Sequence, residues 1–366
     1  MSLLLLHLLL LLLLLLSTTT TTTSPSPPIG VVYNPLHHPP KTHIVSSLRA
    51  STFTRVRLLD PSPSDIRAFS YSNLRLLLSL PNSYIPSFSA SPSSSLRWAS
   101  SHLLPFHPRS SISAVSLGHH SSSPSLLPAL TNLRSSLLRL GLLHISVTTV
   151  VSFDSISPLF PPSAARFNSS VAPELIEFLS KTNSSFLIDI QPFQLYRTQT
   201  STPIGFAVFA DHPFGFRTDP FTGLRYRNLY DVMVDAAVSA VEAKMKKGGR
   251  LPVVVSATGW PSGGGEEEPA EVGEVYAEMY LKGLVRHLES GVGTPMRREG
   301  AEEVYVFELF DNWARRGPES GRHWGVWFEN LTGKYEGVDF SGAGRGGGCG
   351  WPGGAGVWVV VLVFLV

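Results

Sequence analysis

Gly118-His119-His120 places two imidazoles side by side just past an apolar run, Ile112–Leu117. An imidazole is a competent general acid near neutral pH. Two of them also suggest a metal, but a metal needs a third ligand, and neighbouring residues of a strand point to opposite faces. No metal site and no cofactor is therefore expected. Two other places carry groups able to do chemistry: Glu308 with Asp311 in one late segment, and Glu266-Glu267-Glu268 on a Gly-rich loop. The Glu run reads as a solvated loop, and Glu308 alternates with inward positions, so it is expected to face outward toward helices.

Carboxylates are few and unevenly placed. The 366 residues hold 29 Lys and Arg against 27 Asp and Glu, a formal charge of +2, with 15% charged overall. An average soluble domain has about 25%. Only Asp60 and Asp65 precede Asp154, and Ile66–Phe153 contains no acidic side chain. Any mechanism that draws a carboxylate from that stretch is ruled out. The near-neutral balance gives no case for nucleic acid, which requires a concentrated basic face. With Cys349 the single cysteine, no intramolecular disulfide and no thiolate metal site can form.

These groups must be held by regular elements. Strand-like runs lie at Ile29–Tyr33, Thr54–Leu59, Leu74–Leu80, Ile112–Leu117, Ile145–Val150, Phe186–Ile190, Pro252–Ser256 and Val304–Phe310. Helix-compatible stretches lie between them, among them Ser125–Leu140, Pro173–Leu179, Tyr230–Lys246 and Glu271–Leu288. Eight apolar strands alternating with helices predict an α/β protein, a (β/α)8 TIM barrel. An open doubly wound sheet is the alternative, but no Gly-rich nucleotide loop follows the first strand. In such a barrel, chemistry sits past the C-terminal ends of the strands. There the sequence supplies Tyr33, Phe193, Trp260 and Trp313. Aromatic faces in a groove suit the apolar faces of sugar rings; the alternative is that they fill the barrel rim.

The two ends read as processing signals. Residues 1–23, with the Leu3–Leu16 run, suit a signal peptide too short to be a comfortable membrane span. Residues 24–28 are a disordered lead-in, and 29–340 form the barrel. Residues 341–366, a Gly-rich spacer and the apolar Val357–Val366, fit a lipid-anchor signal. Acceptor sequons begin at Asn168, Asn183 and Asn330. The expectation is a secreted, glycosylated monomer of the extracellular space or cell wall, touching membrane only through such an anchor.

Ordered motifs run the length of the body: Ile29-Gly30-Val31 with Tyr33, Val56-Arg57-Leu58-Leu59-Asp60, Leu80-Pro81-Asn82, Pro105-Phe106-His107-Pro108, Thr258-Gly259-Trp260-Pro261-Ser262, Gly293-Thr294-Pro295, Phe307–Asp311 and His323-Trp324-Gly325. In these the chain resembles the plant endo-1,3-β-glucanases of glycoside hydrolase family 17. The resemblance implies retaining hydrolysis of 1,3-β-glucans such as callose, which needs two carboxyl groups about 5–5.5 Å apart. The family's acid is the Glu of Gly-Asn-Glu ending the fourth strand, and its nucleophile is the Glu before Thr-Gly-Trp-Pro-Ser. Those positions are His120 and Ala257 here. The family's Asn-Ile-Tyr-Pro reads Asp189-Ile190-Gln191-Pro192, and its Phe-Asp-Glu-Asn reads Phe310-Asp311-Asn312-Trp313. No catalytic residue is intact. A catalytically impaired family member is expected, binding 1,3-β-glucan through Tyr33, His119, Phe193, Trp260, Asp311 and Trp313. The alternatives are an active endohydrolase, or a structural or partner-binding barrel that no longer holds glucan.

Overall fold

The eight apolar runs pair in chain order and close on themselves. In the computed structural model, which describes residues 26–340 apart from 36–38, 169–170, 172, 199–200, 211–214, 246–248 and 339, they form a closed parallel barrel. Its strands are β1 (Ile29–Tyr33), β2 (Arg55–Leu59), β3 (Arg75–Leu80), β4 (Ser111–His119), β5 (Ser146–Val151), β6 (Phe186–Asp189), β7 (Val253–Thr258) and β8 (Glu303–Val306). β8 closes the ring by pairing Ile29 with Val304 and Val31 with Val306. The expected TIM barrel is the observed fold. The expected signal peptide and lipid-anchor tail fall on residues outside those described.

Buried on both faces, these strands read as near-continuous apolar runs instead of alternating ones. Val32, Leu77, Val150, Leu187, Val254 and Tyr305 fill the barrel interior, while a larger core lies between strands and helices. Helix α1 (Lys41–Ala50) follows β1, and α2 (Pro63–Ala68) follows β2. The Ser62 hydroxyl and the Asp65 carboxylate cap the α2 start reciprocally, which satisfies two backbone donors the helix cannot use. The pair α3 (Tyr84–Ala90) and α4 (Pro92–His102) precedes β4, and α5 (Leu126–Arg139) precedes β5. Leu126, Ala129, Leu130, Leu133 and Leu137 of α5 are buried, the stripe expected at helical spacing. After α6 (Pro173–Lys181) and β6, a long excursion carries α7 (Pro192–Thr198), α8 (Ile204–Ala207) and α9 (Leu229–Glu242) before β7. Helix α9 is buried almost all round because the Ile156–Ser157/Arg166–Phe167 hairpin packs against it as well. Helix α10 (Glu274–Glu289) completes the ring.

One strand ends earlier than the sequence suggested. β8 stops at Val306 rather than Phe310, because the chain leaves the ladder to pair with a later segment. Glu308 N donates to Trp324 O (2.9 Å) and Val326 N donates to Glu308 O (2.9 Å), while Leu309 N reaches Val32 O (2.8 Å).

Two buried carboxyls fasten the surrounding loops. Asp235 on α9 accepts from Tyr226 Oη (2.9 Å), Met296 N (2.9 Å) and Thr294 Oγ1. Glu308 is paired with Arg315 through Nη1 (2.6 Å) and Nη2 (2.8 Å). Burial is the dominant influence on both and pushes each up to about 7, from 3.8 and 4.5 respectively. Both groups hold protons in the fold that the unfolded chain has already released, so the stability they confer is full in acid and is lost as pH rises through about 7. For His287, burial works against the charged form, but the Asp231 hydrogen bond and charge prevail and raise it. Its contribution is present below the ordinary histidine range and is lost as pH climbs through the raised value, the same sign. The midpoint of thermal unfolding should therefore be higher at pH 5.0 than at pH 7.5, by about 5–10 °C. Calorimetry at the two pH values checks this, and Glu308→Gln should flatten part of the slope. A midpoint that rises toward pH 7.5 would contradict it.

Candidate functional site

The C-terminal mouth of the barrel opens on a cavity of about 360 Å³, lined by Val32, Arg57, Leu59, Asp60, Ser79, Leu80, Pro81, Gly118, His119, His120, Asp189, Gln191, Ala257, Phe307 and Arg315. Its floor is a polar layer across the top of the barrel. Arg57 from β2 and Asp189 from β6 are 3% and 6% exposed, and charges so buried must be partnered. Arg57 Nη1 lies 3.4 Å from Asp189 Oδ1 and donates to Ser256 O at 2.8 Å, while its Nε donates to Ser79 Oγ at 2.9 Å. Ser256 Oγ donates to Asp189 Oδ1 at 2.6 Å.

The other oxygen of Asp189 meets both histidines. His119 Nε2 lies 2.8 Å and His120 Nε2 2.9 Å from Oδ2. An ionised carboxylate only accepts, so both Nε2 atoms carry the protons. Burial alone would raise the Asp189 carboxyl. The hydrogen bonds from His119 and His120 and the charge of Arg57 outweigh it and hold the group well below the usual carboxylate range.

The two imidazoles do not diverge as strand alternation predicts. Their rings stack with centroids 3.8 Å apart and 23° between planes. Gly118 (φ +84°) and His120 (φ +51°) both take left-handed backbone at the end of β4, so the alternation stops there. Asn82, just past β3, fixes that turn: its Oδ1 accepts from His119 N (2.8 Å) and its Nδ2 donates to His119 O (3.1 Å). The expectation that the two imidazoles point apart is thus corrected, and a third candidate ligand stands beside them. Nitrogen or oxygen ligand atoms of His119, His120 and Asp189 all lie within 4.8 Å of one another.

At the position of the resembled nucleophile, Ala257 presents only a methyl group, packed with Val32, Leu77 and Tyr305. Among the described residues, Asp60 and Asp189 are the carboxylates lining the cavity. Neither of the other acid groups reaches it. Glu268 accepts from Gly265 N (2.9 Å), Ser320 N (2.8 Å) and Ser320 Oγ, joining the loops after β7 and β8. Glu308 faces Arg315, a loop residue, and not the helices as expected; Arg315 is what reaches the cavity.

The aromatic groove wall is also corrected. Tyr33 is buried with its ring edge-on to Phe310 (6.3 Å), and Phe193 is packed edge-on against Trp260 (5.1 Å) and Trp324 (5.9 Å). Trp260 is 1% exposed, with Nε1 donating to Glu271 O at 2.8 Å. Gly259 makes this packing possible, since a Cβ there would lie 2.4 Å from Phe307 O. These three rings fill the rim because barrel and helices together enclose them. Asp311 is a loop fastener as well, accepting from Gly325 N (2.7 Å) and Lys334 Nζ (2.8 Å). Of the expected sugar contacts, His119 lines the cavity and is 50% exposed, and Trp313 is 63% exposed, edge-on to His323 at 4.8 Å. The sequon residues Asn168, Asn183 and Asn330 are exposed. Arg57, Ser256, Arg315 and the pairing role of Asp189 were missed from sequence. The available signal was a charged residue inside each of two apolar strands, Val56-Arg57-Leu58 and Ile188-Asp189-Ile190, which must find one another.

Comparison with known proteins agrees with this architecture. The profile of glycosyl hydrolases family 17 matches residues 29–340. The chain is 32% identical over 320 residues to glucan endo-1,3-beta-glucosidase 13 of Arabidopsis thaliana, covering 84% of this chain and 62% of that protein. It is 32% identical over 305 residues to glucan endo-1,3-beta-glucosidase GII of Hordeum vulgare, covering 81% and 88%. It spans 59–62% of the length of three of the Arabidopsis relatives it matches. Among solved structures, the β-1,3-glucanase and allergen CJP38 of Cryptomeria japonica pollen superposes with a TM-score of 0.79 at 27% identity, covering 86% of this chain and 99% of that one. A structure from a study of two plant β-glucan endohydrolases with distinct substrate specificities gives 0.75 at 28%, covering 84% and 98%. With the closed barrel, the ordered motifs and the profile match all coinciding over the same residues, the chain belongs to glycosyl hydrolase family 17.

Proposed function

We propose that this protein recognises 1,3-β-glucan at the mouth of its barrel without hydrolysing it. The observation that carries the reading is the commitment of Asp189. Both of its oxygens are engaged, Oδ1 by Arg57 and Ser256 and Oδ2 by His119 and His120, and its partner on the neighbouring strand is Ala257, with only a methyl group. An ionised, fully engaged carboxylate neither donates a proton nor attacks an anomeric carbon, and retaining hydrolysis needs one carboxyl group for each task, which Asp60, the other carboxylate lining the cavity, cannot fill alone. His120 alone supplies no nucleophile and no countercharge. Family membership and the names of its relatives support a 1,3-β-glucan ligand, and the exposed ring of Trp313, two residues before the cavity-lining Arg315, supports a stacking contact. The leucine-rich leader and three exposed sequon asparagines support secretion to the cell surface or wall.

The burial of Tyr33, Phe193 and Trp260 favours a second reading, a barrel that serves structure or partner binding and has given up glucan. One experiment separates these. The purified protein is incubated with a linear 1,3-β-glucan, and reducing-end release and equilibrium binding are both measured. The expected result is release no greater than that of a denatured control, with saturable binding that Trp313→Ala weakens. Release above the control overturns the non-catalytic reading. Absence of binding at millimolar glucan selects the structural one.

A further inference from the structure

We infer that His119, His120 and Asp189 form a binding site for a divalent transition metal of the zinc class. Three observations converge. Two imidazole Nε2 atoms and one carboxylate Oδ2 point at a common place, at separations of 2.8 and 2.9 Å for each nitrogen from the oxygen. The stacked rings hold the two nitrogens on the same side, an arrangement that the left-handed turn at Gly118 and His120 enforces. The carboxylate is already oriented from behind, since Arg57 and Ser256 take Oδ1 and leave Oδ2 to the imidazoles. Outer-shell bonds of that kind fix a ligand's direction before the ion arrives.

The chemistry of the donors selects the ion. Imidazole nitrogen suits zinc, copper, nickel and iron, whereas calcium and magnesium prefer an all-oxygen shell. Two histidines and one carboxylate leave a fourth position, and here it faces the cavity, as in zinc sites that retain an exchangeable ligand. Bonds of about 2.0–2.1 Å in a tetrahedron put neighbouring ligand atoms about 3.3 Å apart. Each nitrogen must then withdraw from Oδ2 by about half an ångström, a small rotation for side chains this exposed. Both Nε2 protons move to Nδ1 or to water when the ion enters, because the ligating nitrogen must be unprotonated. Nothing in this assignment depends on whether the cavity also recognises glucan.

The test uses the full chain, purified without an added histidine tag, stripped with a chelator and titrated with zinc chloride by calorimetry. One zinc per chain is expected, with cobalt in its place giving the visible absorption bands of tetrahedral coordination. His119→Ala and His120→Ala should each weaken zinc by at least about tenfold, since losing a ligand costs no less than losing an outer-shell partner. His323→Ala, altered at the other histidine with carboxylate neighbours near the rim, should bind as the parent does. Both substituted ring positions are substantially exposed, and circular dichroism confirms that each variant is folded. Failure of the parent to bind zinc at one per chain overturns the assignment without recourse to any variant. Parental affinity in both His119→Ala and His120→Ala also overturns it, by placing the ion elsewhere.

Discussion

Asp189→Asn should lower the free energy of unfolding by about 3–5 kcal/mol, the cost of removing one partner from a buried ion pair. The substitution preserves shape but removes the charge and turns one of the two acceptor oxygens into a donor amide facing other donors. Arg57 would keep its bonds to Ser79 Oγ and Ser256 O, but both acceptors are neutral, and a guanidinium 3% exposed has no water to compensate it. His119→Ala is the contrast. It takes one hydrogen bond from the same carboxylate but leaves the Arg57–Asp189 pair intact, and at a half-exposed position it should cost no more than about 1 kcal/mol. Urea denaturation of the three proteins measures both changes. A further comparison isolates the electrostatic part: Arg57→Met combined with Asp189→Leu replaces the pair by apolar groups and should recover much of the loss. Should Asp189→Asn unfold within about 1 kcal/mol of the parent, the polar floor is not held together by this ion pair.

The second large effect concerns rate. His120→Glu combined with Ala257→Glu should raise reducing-end release from linear 1,3-β-glucan by at least about a hundredfold over either single variant, the lower end of what positioned acid–base groups contribute. The surroundings favour the two roles. A carboxyl at position 120 would stand beside the ionised Asp189, and a like charge raises its pKa, which keeps an acid protonated. A carboxylate at position 257 would sit next to Ser256, whose carbonyl already receives Arg57, and would share the cavity with Arg315. Those cations favour the ionised form a nucleophile requires and must outweigh the like charge of Asp189, the partner of Ala257 on β6. Each single variant lacks one half of the pair, so neither should show the gain. No gain in the double variant would mean that Gln191 and the Phe310–Trp313 segment have also remade the sugar subsites.

Asp189 shows where sequence reasoning stops. Its change from the Asn of the resembled motif was legible, and so was Arg57 inside an apolar strand. Their meeting was not, because β2 and β6 lie on opposite sides of the ring and 132 residues apart in the chain. The histidines show a different limit. Strand alternation sends neighbours apart, and only the positive φ at Gly118 and His120 brings the rings together. For Trp260 and Phe193, sequence located both residues just past strand ends, yet could not say whether their faces turn to solvent or inward. Tyr196 on α7, Tyr280 on α10 and Trp324 in the loop after β8 enclose them, and that packing involves elements far apart in sequence.

The sequence by itself determined the barrel, since the spacing of eight apolar runs and the helices between them is a local property that hydrophobic burial converts directly into alternating strand and helix. It also determined that residues 66–153 supply no acid and that the two resembled catalytic positions hold His120 and Ala257. The tertiary structure alone decided what surrounds those positions: a floor where Arg57 and Asp189 neutralise one another and two histidines hydrogen-bond to the same carboxylate. Charges removed from water are stable only when partners from other strands arrive at hydrogen-bonding distance, and that coincidence exists only once the barrel has closed.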